Sequence, residues 1–175
     1  DNLSTLYSAG VNYGLFLSYF FDLRSSIQMG FSTDDHSFSF CTAANQCDSG
    51  TVSFTSIQFL YKYYFNTQNV TKGVADLNPY VLGGLTQFWR SYTVSSTVTN
   101  SLSSARDSTW GLTLGGGLEV PIMRKKGFFG AQLNFHLASF SDANSPPYLD
   151  NFSAPSTAAP YGFHYEILGL IGFNF

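Results

Sequence analysis

Apolar and polar residues alternate along most of this chain, most strictly at its end. In Tyr161–Phe175 the positions Tyr161, Phe163, Tyr165, Ile167, Ile171, Phe173 and Phe175 are large and apolar, while Gly162, His164, Glu166, Gly172 and Asn174 lie between them. Successive side chains of a strand point to opposite faces, so this period of two predicts a strand with one apolar face. The same rhythm predicts six more. Phe128–Phe140 sets Phe129, Ala131, Leu133, Phe135 and Leu137 against Gly130, Gln132, Asn134 and His136. Thr109–Val120 sets Trp110, Leu112, Leu114, Leu118 and Val120 against Thr109, Thr113 and Glu119. Thr51–Phe65 sets Ile57, Phe59, Tyr61, Tyr63 and Phe65 against Ser56, Gln58 and Lys62. Leu23–Ser32 sets Leu23, Ile27, Met29 and Phe31 against Arg24, Ser26, Gln28 and Gly30. Tyr7–Phe20 sets Tyr7, Ala9, Val11, Tyr13, Leu15, Leu17 and Tyr19 against Ser8, Gly10, Asn12, Gly14 and Ser18. Pro79–Tyr92 is strand-like, with two faces too alike to assign.

Strands that display so much aromatic surface would aggregate in water, whereas lipid solvates such a face well. Composition agrees: aromatics reach 18% and charged residues only 11%. Mean hydropathy is nevertheless +0.01, and no apolar run approaches the ~20 residues of a membrane helix. The predicted fold is therefore all-β, a transmembrane antiparallel up-and-down β-barrel of about eight strands, seven of them clear, forming a single domain over residues 1–175. A soluble β-sandwich, which also alternates, is the competing architecture. An odd count is unusual for single-chain bacterial barrels, and an open edge in lipid leaves backbone groups unpaired at several kcal/mol each. An eighth strand has three possible origins: sequence upstream of Asp1, a second piece merged within residues 1–20, or another chain. The absence of a leader at Asp1 fits a mature exported chain.

The predicted links alternate between shorter ones (Phe21-Asp22, Asn66–Asn78, Pro121–Gly127) and longer polar ones (Thr33–Gly50, Thr93–Ser108, Ser141–Pro160). Short periplasmic turns and long external loops alternate in this way in outer-membrane barrels. The three longer links hold Asp34, Asp35, Asp48, Asp107, Asp142 and Asp150 against one base, Arg106. Net charge is −3 and Arg124-Lys125-Lys126 is the sole basic run, which argues against a nucleic-acid partner. Cys41 and Cys47 are close in one polar segment, and in an exported chain such a pair is expected to close a small loop as a disulfide. Zinc on these cysteines would need more ligands than nearby His36 supplies. His36, beside Asp34 and Asp35, offers a cation three donors, but a solvated histidine is the expectation; no metal or cofactor site is expected.

The predicted inward positions include Arg24, Lys62, Glu119, His136, His164 and Glu166, with Gln28, Gln58, Gln132, Asn12 and Asn134. Eight strands enclose a lumen that side chains can fill, and bases and acids in similar number predict an internal ion-pair network. Inward glycines (Gly10, Gly14, Gly30, Gly115, Gly117) leave open a narrow pore. Catalysis needs a nucleophile, a base and an orienting carboxylate in reach. His136 and Ser139 fall on opposite faces, and no serine on the last strand joins His164 and Glu166, so no enzyme of the lipid A-modifying kind is expected.

The terminal aromatic strand resembles the C-terminal signature of bacterial outer-membrane β-barrels, with Tyr165, Phe173 and Phe175 as the assembly signal. Asn78-Pro-Tyr-Val-Leu-Gly-Gly-Leu and Trp110-Gly-Leu-Thr-Leu-Gly-Gly-Gly-Leu-Glu-Val-Pro are similar to strands of the generic outer-membrane barrel family related to OmpA, OmpX and OmpW. The resemblance covers most of residues 51–175. It implies an eight-stranded meander in the outer membrane of a Gram-negative cell, with a periplasmic C-terminus and extracellular loops. It also implies contact with lipid and lipopolysaccharide, insertion by the barrel assembly machinery, and a role in anchoring, adhesion or small-solute passage. Another chain of an envelope assembly is a further expected partner. The resemblance carries over no catalytic residues.

Overall fold

Alternation alone would make a flat ribbon; strand twist and coiling turn it into a barrel wall. The computed structural model describes residues 10–22, 24–41, 47–65, 77–96, 101–122, 127–140 and 161–173. They form seven strands: β1 (Val11–Phe20), β2 (Ser25–Cys41), β3 (Cys47–Tyr64), β4 (Asn78–Ser96), β5 (Ser101–Ile122), β6 (Gly127–Ser139) and β7 (Tyr161–Phe173). Each pairs antiparallel with the next, in one sheet of order β1-β2-β3-β4-β5-β6-β7 that curls into a nearly closed barrel. The fold class is all-β, as the alternation predicts, with no helix among the described residues.

An odd number of strands in a strict meander has a geometric consequence. Val11 pairs with Asp35 and Phe20 with Ser26, while Ser139 pairs with Tyr161 and Gly127 with Phe173. The edge strands β1 and β7 therefore run parallel. Among the described residues no ladder joins them. A seam runs between them, opening on a cavity of about 840 Å³ lined by Tyr13, Phe16, Leu17, Ile167 and Leu170, with Lys62 and Glu119 at its inner side.

Outward side chains form a continuous apolar band. It includes Leu15 and Leu17 on β1, Met29 on β2, Phe59 on β3, Leu85 on β4, Leu114 on β5, Phe135 on β6, and Ile167 and Ile171 on β7. On β6 the band runs from Phe129 to Leu137, close to the ~9–11 residues a tilted strand needs to cross a bilayer. Its ends are aromatic, with Trp89 and Trp110 at the upper edge and Tyr19, Phe65 and Phe173 at the lower.

Two expectations change. The segments 33–50 and 93–108 are mostly not loops: β2 pairs with β3 from Ser25↔Tyr63 to Cys41↔Cys47, and β4 with β5 as far as Ser96↔Ser101. Serine, threonine and aspartate read as loop residues, yet here they lie on paired strand extensions. β5 alone has 22 residues, a contour of about 70 Å. Second, Arg24 is not an interior residue. It is exposed in the β1–β2 turn, because the alternation that assigned its face lapses where the chain reverses. Its N–H and that of Ser25 donate to Asp22 Oδ1 at 2.6 and 2.8 Å, and the Arg24 N–H holds the exposed Asp22 carboxyl below its ordinary range. Cys41 and Cys47 are backbone partners at the end of the β2–β3 ladder, but their side chains lie outside the described residues, as do Phe175, Arg124–Lys126 and the segment 141–160.

The faces of β4 are resolved. Tyr80, Leu82, Thr86, Phe88 and Arg90 are buried, and Val81, Leu85 and Trp89 exposed. Between them Gly84 permits the close approach of β3: a Cβ there would run into the Phe59 carbonyl oxygen and stand 2.9 Å from Leu60 Cα. At Gly169 a Cβ would meet nothing within 4 Å. Gly84→Ala is expected to cost up to about 3 kcal/mol and Gly169→Ala close to nothing, read as urea midpoints in detergent micelles.

Candidate functional site: the barrel lumen

Among the described side chains, most even-numbered residues of β2, β3, β4, β6 and β7 point inward, and from the lower end upward they form three layers. In the lowest layer Leu60, Tyr64, Tyr80 and Leu82 make a buried apolar cluster. Lys62 stands within it, 2.5 Å from Glu119 Oε1, with its ammonium 3.7 Å from the Tyr80 ring centroid. The Tyr64 hydroxyl donates to Glu119 Oε2 at 3.1 Å. One carboxylate thus answers the ammonium and a phenol while an aromatic face covers the cation, which is what a buried charge requires.

The middle layer is a hydrogen-bonded chain across four strands. Tyr80 O–H donates to Gln132 Oε1 at 2.9 Å, Gln132 Nε2 to Asn134 Oδ1 at 2.9 Å, and Asn134 Nδ2 to Glu166 Oε2 at 2.8 Å. His136 Nε2 lies 3.2 Å from the same oxygen, its Nδ1 lies 2.7 Å from Thr113 Oγ1, and Thr113 in turn meets Thr86 at 2.6 Å. Asn12 Nδ2 donates to Glu166 Oε1, bridging β1 and β7 across the seam. On the opposite wall Ser32 and Ser56 bond at 2.8 Å, with Gln58 Nε2 beside them.

The upper layer holds Phe54, Phe88 and Phe140, all buried. Arg90 forms a two-pronged ion pair with Asp107 through Nε (2.9 Å) and Nη2, and its guanidinium lies 4.4 Å from the Phe140 ring centroid. At the mouth, His36 Nε2 lies 2.5 Å and His164 Nε2 3.6 Å from Asp34 Oδ2.

Lys62, Glu119, His136 and Glu166 are thus buried in the lumen, His164 is partly buried at its upper mouth, and Arg24 is elsewhere. Tyr165 and Phe173 face outward in the apolar band. Sequence reasoning missed the Arg90–Asp107 pair, because the faces of β4 were unresolved and Asp107 was grouped with loop acids. Asp34 was grouped likewise, yet it is buried on β2. The missed signal was the continuing parity of Ser26, Gln28, Gly30, Ser32 and Asp34, which keeps the aspartate on the inward face.

Thr113, His136 and Glu166 also form a hydroxyl–imidazole–carboxylate line, the arrangement of an activated nucleophile. Thr113 and Thr86 are wholly buried and His136 nearly so, and the hydroxyl already bonds to Thr86. A nucleophile needs space for an acyl group within about 3 Å, whereas these neighbours enclose this hydroxyl; the geometry describes a structural relay. No protein-family model, curated protein or solved structure matches this chain.

Proposed function

We propose that this protein is a non-enzymatic outer-membrane β-barrel that anchors a recognition surface in the envelope, its lumen closed by polar side chains. The observation that carries this reading is the filled lumen: Lys62–Glu119, the chain from Tyr80 to Glu166, and Arg90–Asp107 occupy it in successive layers. The aromatic-edged apolar band supports a bilayer around the wall. On this reading the C-terminus is periplasmic, and the β2–β3 and β4–β5 hairpins rise above the lipid and lipopolysaccharide as the extracellular surface. The Cys41–Cys47 backbone pairing supports a disulfide near the tip of the first hairpin. The barrel assembly machinery would insert the chain, and a further envelope protein is the partner that the hairpins suit. Reconstituted in planar bilayers, the full chain is expected to show no steady single-channel openings; openings of uniform conductance would overturn the plugged lumen.

The seam favours a second reading, a narrow passage for small or hydrophobic solutes. The cavity between β1 and β7 has apolar walls and a polar inner side. Gln28 Nε2 and Asn12 Oδ1, from two of its lining residues, find no partner among the described residues. A solute could reach the lumen sideways from the bilayer by this route, without a continuous pore.

A further inference from the structure

The upper mouth gathers three side chains that the plugged-lumen reading does not use. Asp34 and His36 are two residues apart on β2, so parity turns both inward. His164 reaches them from β7, and the donor atoms of all three lie within 4.8 Å of one another. The surroundings are aromatic. His36 stands edge-on to Phe54 with centroids 5.7 Å apart, His164 lies 5.9 Å from the same ring, and His136 supports His164 from below at 5.5 Å. Asp34 keeps only 8% of its side chain exposed. Beside the cluster Gly10 leaves room for the imidazole, since a Cβ there would come within 2.8 Å of His36 Nδ1.

We propose that Asp34, His36 and His164 bind a divalent transition metal of the zinc type, which clasps β7 to β2 across the seam. Two imidazoles and one carboxylate suit zinc and its neighbours in the first transition row. They do not suit calcium, which takes six to eight oxygen ligands; the next acid, Asp35, is exposed and bonded to Ser53 Oγ at 2.5 Å. Around a tetrahedral ion with bonds of 2.0–2.1 Å, donor atoms stand about 3.3 Å apart. His164 and Asp34 are near that spacing at 3.6 Å, and His36 has only to exchange its 2.5 Å hydrogen bond to Asp34 for a shared ion. Three protein ligands leave a fourth tetrahedral position to water. The backbone ladder leaves β1 and β7 unjoined, so an ion held from β2 and β7 would close the ring beside Val11 and Asn12, which pair with Asp35 and Asp34. The role is structural and independent of whether the lumen conducts.

The test uses the full chain folded in detergent micelles, stripped with chelator and titrated with Zn²⁺ alone, with Co²⁺ as the spectroscopic probe. One ion per chain is expected, with cobalt absorption typical of four or five nitrogen and oxygen ligands. Binding should raise the temperature at which the folded gel band converts to the unfolded one. His36→Ala, His164→Ala and Asp34→Asn should each weaken binding by at least about 100-fold, the upper end of what loss of a mere supporting contact costs, whereas Asp35→Asn should keep the wild-type affinity. His164→Gln stands in if the alanine variant does not fold. Absence of stoichiometric binding by the wild-type chain would overturn the site. So would equal weakening by Asp35→Asn, which indicates diffuse attraction by acids. Affinity unchanged without His164, or binding with no rise in the melting temperature, would overturn the clasp.

Discussion

Replacing Glu119 by alanine is expected to destabilise the barrel by about 3–5 kcal/mol, the cost of leaving one partner of a buried ion pair alone. Lys62 is 2% exposed and sits among Leu60, Tyr64, Tyr80 and Leu82, so among the described residues its ammonium would keep the Tyr80 and Tyr64 ring faces as partners. Glu119→Gln should cost less, since the amide oxygen still accepts from Lys62. The double variant Lys62→Met/Glu119→Leu should recover most of the loss, because two apolar side chains of similar volume replace a pair that was itself expensive to desolvate. Urea unfolding in micelles, followed by tryptophan fluorescence, gives all three. The magnitude is informative about the seam as well. Both residues also line the cavity between β1 and β7, and if water reaches them there, the loss falls to the 1 kcal/mol or less of an exposed pair.

A second large effect is expected on the outer wall. Leu114 is 67% exposed, midway between Trp110 and Leu118 in the apolar band of β5. Arginine at such a position costs about 2–4 kcal/mol when it faces the bilayer midplane and roughly 0–1 kcal/mol near an interface. Leu114→Arg should therefore lower stability in phospholipid vesicles by the larger amount. Ser108→Arg, exposed on the same strand beside Trp89 at the aromatic edge, should be nearly silent. A Leu114→Arg protein as stable as its parent, or one monodisperse without detergent, would return the soluble sandwich to contention.

Most of the wall was legible in the sequence because one physical constraint, a solvent on each face, acts on every second residue. Ile27, Met29 and Phe31 against Ser26, Gln28 and Gly30 leave no ambiguity. β4 was illegible for the same reason inverted: Tyr80 and Leu82 face an apolar part of the lumen and Val81 and Leu85 the outside, so both faces are greasy and parity loses its label. The upper ends of β2 and β5 were missed because Ser37–Cys41 and Ser101–Ser104 are rich in serine, which reads as loop, although both segments are paired in the ladder. The lumen was legible as an inventory but not as pairs. Nothing in the local pattern tells Lys62 to choose Glu119, or brings Asp34 to a histidine 130 positions later; those partnerships follow from how the ring closes.

The meander also bears on the order in which the molecule comes together. Every ladder joins strands adjacent in sequence, so hairpins can add one after another without waiting for distant chain. The Asn12–Glu166 bridge spans 154 positions and needs the whole wall first. Loop-closure entropy rises only about 0.6 kcal/mol with each doubling of length, so the delay comes from the prior curling of the sheet and not from the length of chain. Until that bridge forms, the growing wall presents an unpaired strand at each end and an open polar interior. Sealing the ring is then the late, committing event, and the side chains that meet across it belong to the part of the molecule that forms last and opens first.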